Sequence, residues 1–428
     1  MGSSDVATQG TGTIPPLAAQ LNQQCFCVTI DAEKLAHSLD DEAGEPGFFR
    51  HLAADRPHLF SNLPVFIGHA ALAEMVAMIE AIENVGRLPR YQEEVLSWAP
   101  VGSRIDHGTV GALMGYDFHL TADGPKLIEI NTNAGGAFLN AHLARAQAAC
   151  CSDVKIDRRL IDEFDANIAA MFRKEWWRQR GDGALATIVI VDDAPNEQYL
   201  YPEFVLAREL LTRQGFEAHI ADPGDLEVRD RALWLGKTRI DLVYNRLVDF
   251  ALDAPQHSAL REAYTGGLVV VTPSPHHHAV LANKRNLTLL SDPEALRSFG
   301  VTANVLARLA GVPLTRFVTP ENADELWQAR KTMFFKPLSG HGSKAVYRGD
   351  KLTKGVWADI VKGAYVAQAF VAPGERIIEL DGQRVTRKVD VRLYTYEAQP
   401  MLVAARVYQG QATNLRTPGG GFAPVLIV

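Results

Sequence analysis

The sequence has little of what several classes of protein require. Its four cysteines are too few for a disulfide scaffold, and neither Cys25 and Cys27 nor Cys150 and Cys151 have zinc-site spacing. No apolar run approaches the roughly 18 residues of a membrane span. A net charge of −7 without a Lys/Arg stripe argues against a nucleic-acid partner. The P-loop motif and the G-x-S-x-G elbow are absent too, which disfavours those two enzyme classes.

The composition describes an ordinary soluble globular protein. Hydrophobic residues make up 47% and charged residues 22% of the chain, and 428 residues suffice for about two or three domains. Residues 1–20 begin with a Gly/Ser/Thr-rich stretch that lacks an apolar signal core, so we expect a disordered leader. Few cysteines and no span indicate a reducing cytoplasm. The sequence leaves open whether the chain forms a homo-oligomer.

The most informative pattern lies at residues 115–136. Two stretches of alternating apolar and polar residues flank the turn at Asp123, which predicts a β-hairpin. Asp117 and Glu129 then lie on facing strands, and Asn131 shares their face because it follows Glu129 by two. Two carboxylates and an amide oxygen form an all-oxygen site of the kind that Mg²⁺ prefers. Taken alone, the pattern also fits a hairpin with acids on its solvated face.

This hairpin resembles the metal-binding hairpin of the ATP-grasp superfamily. The run from Glu129 through Asn131 into small residues is similar to D-alanine–D-alanine ligases and glutathione synthetases. The resemblance implies that Asp117, Glu129 and Asn131 bind two Mg²⁺ ions that bridge ATP phosphates. It also implies that the small-residue turn lies beside the acceptor substrate, which involves Asn133, Gly135 and Gly136. In those families the hairpin is near the C-terminal end, so its place in the first third predicts a circularly permuted chain.

The phosphate-binding parts then follow the hairpin. A strand ending at Lys336 leads into a Gly/Ser loop and another strand, and such a loop presents backbone N–H groups to an anion. It looks like the ATP-grasp lid, with the loop contacts Ser339, Gly340, Gly342 and Ser343. The resemblance places a second phosphate lysine at Lys284, which opens an apparent helix through Leu290; a solvated helical lysine is the alternative. It also implies that adenine is read by backbone groups near Gln368, Ala369 and Phe370.

Two arginines stand out in the last segment. Alternation in residues 388–396 and 401–409 around a short turn predicts another hairpin. The segment resembles glutathione synthetase, in which arginines bind phosphate and stabilise the acyl-phosphate intermediate. Arg392 and Arg406 fall on those positions, and Asn414 and Arg416 are further nucleotide-binding candidates. Arginines on strand surfaces are common, so either residue alone also fits a solvent-exposed role.

The middle of the chain alternates strands with helical segments, which predicts a small parallel sheet. The predicted strands are residues 186–191, 217–221, 241–246 and 267–271. The region looks like a pre-ATP-grasp substrate domain, and ligands in such sheets lie beyond the strand carboxyl ends. Asp192, Asn245 and Arg246 are therefore substrate candidates, although a capped strand end explains Asn245 and Arg246 equally well. The adjacent histidines 276–278 fit an active-site wall better than a metal site.

These observations predict an α+β (α/β) ATP-grasp fold in permuted order. We expect a leader at 1–20, a helical region with the hairpin at 21–183, a parallel-sheet substrate domain at 184–280 and a nucleotide-binding region at 281–428. The expected activity is ATP- and Mg²⁺-dependent ligation of a small-molecule carboxylate to an amine through an acyl phosphate, without nucleic-acid or membrane partners. The alternatives are an ATP-grasp kinase, a non-catalytic nucleotide-binding protein and, more remotely, a structural role.

Overall fold

A computed structural model of the chain describes residues 16–147, 158–338 and 345–428. Its α-helices span Leu17–Gln24 (α1), Ala32–Ala43 (α2), Phe48–Asp55 (α3), His69–Gly86 (α4), Pro89–Ser97 (α5), Ala137–Arg145 (α6), Arg159–Asp162 (α7), Phe164–Arg180 (α8), Tyr201–Arg213 (α9), Ser258–Thr265 (α10), Pro275–His277 (α11), Asn286–Leu290 (α12), Pro293–Ser298 (α13), Ala303–Arg308 (α14), Ala323–Ala329 (α15) and Lys354–Lys362 (α16).

The strands are mostly short and lie in four sheets within the described residues. They span Val65–Ile67 (β1), Met114–Thr121 (β2), Gly124–Asn131 (β3), Thr187–Val191 (β4), Glu217–Ala221 (β5), Leu226–Arg229 (β6), Ala232–Leu235 (β7), Thr238–Ile240 (β8), Leu242–Asn245 (β9), Val270–Thr272 (β10), Thr315–Phe317 (β11), Met333–Pro337 (β12), Tyr347–Arg348 (β13), Tyr365–Ala369 (β14), Gly374–Leu380 (β15), Gln383–Tyr396 (β16), Gln399–Tyr408 (β17) and Gly421–Ile427 (β18).

The largest sheet joins the two ends of the chain. Its order is β1-β18-β17-β16-β2-β3, with β15 also paired to β16. The hairpin β2–β3 forms as predicted, with Asp117 directly opposite Glu129. Strand β2 pairs antiparallel with β16, which sets Arg392 against Asp117. The hairpin from the first third of the chain therefore lies beside the strands from its last segment, as a permuted order requires. The permutation itself stays a prediction.

The second sheet has the order β10-β9-β4-β5 and is entirely parallel, as the alternation of strands and helices predicts. Both faces are covered. Ile188 and Ile190 of β4 enter one hydrophobic core, and Val189 and Val191 enter another. A strand buried on both faces reads as a continuous apolar run, which is why this segment lacks alternation.

A third, antiparallel sheet has the order β11-β14-β12-β13 and carries Lys336 and Gln368. Its small core contains Phe335, Leu326 of α15 and Ile360 of α16. The separate core explains how this unit covers a cleft without merging into the main sheet. The fourth sheet of the described residues has three strands in the order β6-β7-β8.

Two local predictions differ from the structure. Lys284 lies in a turn before α12 rather than in the helix, because the side chain of Asn286 donates to the carbonyls of Ala279 and Val280 and closes the preceding turn at 2.8 Å. Helix α1 crosses the expected boundary at residue 20. Within the described ranges, every helix is too short or too polar to traverse a bilayer.

Candidate active site

A cleft of about 490 Å³ lies between the main sheet, the parallel sheet and the β11–β14 sheet. Most of the residues predicted from sequence line this cleft. They are Glu129, Asn131, Asn133, Gly135, Asp192, Arg246, Lys284, Lys336, Gln368, Ala369, Phe370, Arg392 and Arg406. Five predicted residues do not line it: Asp117, Gly136, Asn245, Asn414 and Arg416. The loop residues Ser339, Gly340, Gly342 and Ser343 lie outside the described residues.

Asp117 is enclosed by cationic and amide donors. Arg392 donates from Nε to its Oδ1 at 2.5 Å and from Nη2 to its Oδ2 at 2.7 Å. Arg406 Nη2 and Asn131 Nδ2 also donate to Oδ2, at 2.8 and 3.2 Å. Burial acts to raise the pKa of Asp117, but the two guanidinium charges outweigh it and hold that pKa well below its usual value. The carboxylate is therefore ionised and accepts four hydrogen bonds, three of them at Oδ2.

A second carboxylate, Asp390, supports Arg406. It accepts from Arg406 Nε at 2.6 Å and from the hydroxyl of Thr413 at 2.5 Å. Asp390 and Arg392 share one face of β16 because they are two residues apart, and Arg406 is opposite Asp390 on β17. The result is a charge-balanced group of two carboxylates and two guanidinium groups, in which Arg406 is partly exposed and the other three side chains are buried. Such pairs are costly to break from one side.

Glu129 faces two lysines across the cleft. Its Oε1 lies 3.2 Å from Lys284 Nζ, and its side chain keeps one-third of its surface exposed. Burial acts to raise the pKa of Glu129, but the charges of Lys284 and Lys336 lower it overall. Lys336 is more enclosed, and burial lowers its pKa to about 8 against the opposing charge of Glu129. The site thus presents an ionised carboxylate between two ammonium groups.

Lys336 also joins the β11–β14 sheet to the hairpin. Its Nζ donates to the carbonyl of Ile128 at 2.8 Å and to Oε1 of Gln368 at 2.7 Å. The Nε2 atom of Gln368 is buried and has no partner among the described residues. The N–H groups of Ala369 and Phe370 are already used, by the carbonyls of Leu314 and Thr332. A base bound here therefore meets the Gln368 amide more readily than those two backbone donors.

The turn before α6 is held by an internal carboxylate. The N–H of Gly136 donates to Glu203, which the N–H groups of Ala137 and Phe138 also approach. Glu203 thus fills the anion-binding position at this helix N-terminus. Gly135 differs, because it lines the cleft and its carbonyl accepts from Tyr394 at 2.7 Å. The structure brings Gly135 into the candidate site and leaves Gly136 in a structural role.

The opposite end of the cleft has mixed polarity. The guanidinium of Arg246 is buried and lies 3.3 Å from the hydroxyl of Tyr244. Asp192 sits at the end of β4, where burial raises its pKa to about 6 despite the charge of Arg246. The rings of Phe250 and His278 stack at 3.7 Å, and burial with the charge of Lys284 lowers the pKa of His278 to about 3. This end offers a cation, a carboxyl group and apolar walls.

Three residues predicted for the site have local structural contacts instead. Asn245 Nδ2 donates to the carbonyl of Pro273 at 3.2 Å, so the capped strand end applies to this residue. Asn414 folds its own loop by donating to the carbonyl of Gln409 at 2.8 Å. The guanidinium of Arg416 lies over the Tyr199 ring at 5.6 Å. Of the three adjacent histidines, His278 alone lines the cleft, while His276 and His277 line a separate cavity.

Two important residues were missed by the sequence reasoning. Asp390 precedes Arg392 by two, so strand alternation places it on the same face and could have identified it. Glu203 follows the buried helical spacing of α9, with Leu206, Ala207 and Leu210 at +3, +4 and +7. An acid on an apolar helical stripe signals a buried partner, but the sequence does not name that partner.

The donor set fits a hard cation only in part. Glu129 and Asn131 line the cleft and present oxygen ligands, which suits Mg²⁺ held by few protein atoms and by phosphates. Asp117 does not fit as a third ligand, because arginines and Asn131 already occupy its oxygens. No group of three or more His, Cys, Asp or Glu side chains in the described ranges is arranged to hold a metal ion.

Comparison with solved structures identifies the fold. A glutathione synthetase-like effector from Globodera pallida, in its apo form, superposes with a TM-score of 0.54 at 12% identity over 94% of this chain and 98% of that chain. A γ-glutamylcysteine synthetase-like protein from Methylobacillus flagellatus gives 0.47 at 10% identity over 82% and 85%. The D-alanyl-alanine synthetase A of Vibrio cholerae gives 0.28 at 13% identity over 55% and 91%. No protein-family model and no curated protein sequence matches. The chain has an α+β ATP-grasp fold of the glutathione synthetase-like type.

Proposed function

We propose that the protein is an ATP- and Mg²⁺-dependent ligase that joins a carboxylate to an amine through an acyl phosphate. The observation that carries the proposal is the composition of one cleft in this fold. Lys284, Lys336, Arg392 and Arg406 line the same cavity as the carboxylate Glu129. Four cations around one oxygen-ligand pair form a phosphate-transfer environment rather than a general polar surface.

The nucleotide end lies under the β11–β14 sheet. Phe334 and Phe370 stack there with ring centroids 6.5 Å apart, and Gln368, whose buried Nε2 has no partner among the described residues, lines the same cleft. An aromatic edge and a buried donor suit a purine base, since a polar group left unpaired costs about 1–3 kcal/mol. Lys284 and Lys336 then contact phosphates as point charges.

Glu129 and Asn131 are the residues that hold Mg²⁺ in this proposal. The cation neutralises phosphate charge and aligns the transferred phosphoryl group when bound. Arg392 and Arg406 bind the same oxyanions with their remaining N–H groups, since Asp117 and Asp390 hold the two guanidinium groups in place at Nε and Nη2. Preorganised cations cost no reorganisation as charge develops.

The substrates occupy the Arg246 end. A carboxylate oxygen attacks the γ-phosphorus, ADP leaves, and an acyl phosphate forms beside Arg392 and Arg406. The amine then attacks the acyl carbon and phosphate leaves with the C–O bond electrons. Arg246 orients a carboxylate group of one substrate, and Asp192 holds or removes a proton of the other. The apolar walls, including Phe250 and Leu200, exclude water that would hydrolyse the intermediate.

The test is release of ADP and phosphate from ATP with Mg²⁺ across pooled carboxylates and amines. We expect both products only with a carboxylate–amine pair, and their loss in Glu129→Gln. Glu80→Gln is the matched control, because Glu80 pairs with Arg308 on the surface, away from the cleft. ADP without free phosphate would replace this proposal with a kinase. Tight nucleotide binding without turnover in any pool would support the non-catalytic alternative.

A further inference from the structure

We propose that Asp117 is a positioning residue that fixes the arginine pair and does not ligate the metal. The inference rests on the proposed function and assigns the metal to Glu129 and Asn131 alone. It departs from the expectation that all three oxygen-bearing side chains of the hairpin coordinate Mg²⁺. Three observations on the described residues carry it: the donors around Asp117, its position behind the cleft wall, and the orientation of Asn131.

The first observation is the number of donors. An ionised carboxylate offers about four lone-pair sites, and four N–H donors approach Asp117 at 2.5, 2.7, 2.8 and 3.2 Å. Three of them converge on Oδ2. A cation at Oδ2 would displace a guanidinium donor, and a cation at Oδ1 would lie beside Arg392 Nε. Either position places like charges in contact within a buried group.

The second observation is where the carboxylates lie. Arg392 and Arg406 line the cleft, whereas Asp117 and Asp390 do not line it and are each 2% exposed. Each arginine is held at Nε by one of these carboxylates, at 2.5 and 2.6 Å. Two guanidinium groups are therefore presented to the cleft from behind. Glu129, in contrast, lines the cleft and is one-third exposed.

The third observation is the amide of Asn131. Its Nδ2 donates to Asp117, so Oδ1 lies on the other side of the planar amide. Asn131 lines the cleft with Glu129 and follows it by two on β3, on the same face. Asp117 thus sets the orientation of a metal ligand as well as that of the arginines. This is the role that outer partners have around metal sites.

The direct experiment counts water molecules on a bound metal. Mn²⁺ replaces Mg²⁺ with saturating ADP, and water-proton relaxation gives the number of inner-sphere waters. We expect Glu129→Ala to add at least one water, because it removes a ligand, and Asp117→Ala to add none. The same comparison in an Asn131→Ala background removes any effect that acts through Asn131, and a water that Asp117→Ala adds there would overturn the inference. Should that variant fail to fold, Asp117→Ala with Arg392→Met removes both charges of the pair and is judged in the same way.

A kinetic experiment separates positioning from simple structural support. We expect Asp117→Asn to lower kcat by about 100-fold with little change in the KM for ATP, since the arginines are misplaced for the transition state. The double variant with Arg392→Gln should then lose no more than Arg392→Gln alone. Losses that multiply in the double variant would show an independent role and overturn the inference. Failure of the wild-type protein to bind Mn²⁺-ADP would instead refute the proposed function.

Discussion

Replacing Gly136 by alanine should destabilise the protein, whereas the same change at Gly135 should mainly affect substrate binding. Gly136 has φ of +98°, a conformation that side chains other than glycine rarely adopt. A Cβ there would lie 2.3 Å from Cζ of Phe422, a buried ring on β18. At Gly135 the Cβ would meet the flexible end of Leu200 at 2.6 Å and Nη2 of Arg246 at 3.4 Å.

The expected loss of stability in Gly136→Ala is the sum of a backbone cost and a packing cost. The left-handed backbone costs about 1–2 kcal/mol with a Cβ, and overpacking against a buried ring costs about 1–3 kcal/mol. We therefore expect Gly136→Ala to lose about 2–5 kcal/mol of unfolding free energy. At Gly135 the backbone is unstrained and Leu200 can turn aside, so we expect a loss of about 1 kcal/mol or less. The added methyl at Gly135 approaches Arg246, which should raise the KM for the carboxylate substrate.

Urea unfolding, followed by both circular dichroism and tryptophan fluorescence, measures this difference. A lower midpoint with an unchanged m-value in Gly136→Ala reports lost stability rather than a changed unfolded state. Gly44→Ala isolates the backbone cost, because Gly44 is also in the left-handed conformation and its Cβ would have no neighbour within 4 Å. The reasoning is refuted if Gly136→Ala is no less stable than Gly44→Ala, because the contact with Phe422 then contributes nothing.

Three further predictions concern ionisable groups. Nucleotide affinity should fall above pH 8, because the pKa of Lys336 is lowered to about 8 and its ammonium group loses its charge there. Calorimetry measures this affinity, and we expect it to show no such fall in Lys336→Gln. Burial raises the pKa of Asp192 from the usual 3.8 to about 6, so its charge opposes folding in full above pH 6 and this cost disappears as the pH falls from 6 to 3.8. Asp192→Asn should therefore gain about 1–3 kcal/mol of unfolding free energy at pH 7.5 and little at about pH 4, measured by urea unfolding. Glu175 is fully buried and accepts hydrogen bonds from Thr272, Tyr396 and two backbone N–H groups. Glu175→Ala leaves these donors unpaired and should lower the unfolding free energy by about 3–5 kcal/mol. An unchanged unfolding free energy of the variant would contradict this.

Strand alternation made much of the site predictable. Asp117, Glu129, Asn131, Arg392 and Arg406 project from one face of the main sheet because side chains alternate along each strand with a period of two. The short turns fix which strands pair, so both hairpins were predicted from local sequence. The chemistry of the cleft is therefore largely a local property of a few strands.

The partners of those side chains were not predictable, because they come from distant residues. Asp117 meets Arg392 275 residues later, a contact that the hairpin sequence does not indicate. Glu203 reaches Gly136 across 67 residues, which changes the role of that glycine. Backbone donors raise the same difficulty, since sheet pairing at the edge of β14 consumes the N–H groups of Ala369 and Phe370. Amino-acid composition and the periodicity of apolar residues cannot reveal contacts that depend on how separate sheets pack together.

The ion pair between Lys284 and Glu129 leads to a final prediction about coupling. Lys284 Nζ lies 3.2 Å from Glu129 Oε1, so a metal at Glu129 must separate the pair unless a phosphate binds Lys284 at the same time. Metal and nucleotide should therefore bind with positive coupling, because whichever binds first already separates the Lys284–Glu129 ion pair for the other. We expect Lys284→Gln to tighten Mn²⁺ binding without nucleotide by about 5-fold, since a partly exposed pair contributes about 1 kcal/mol, and to weaken ADP binding. Electron paramagnetic resonance of free Mn²⁺ measures the first effect. Weaker Mn²⁺ binding in this variant would show that Lys284 supports the metal rather than competing for its ligand.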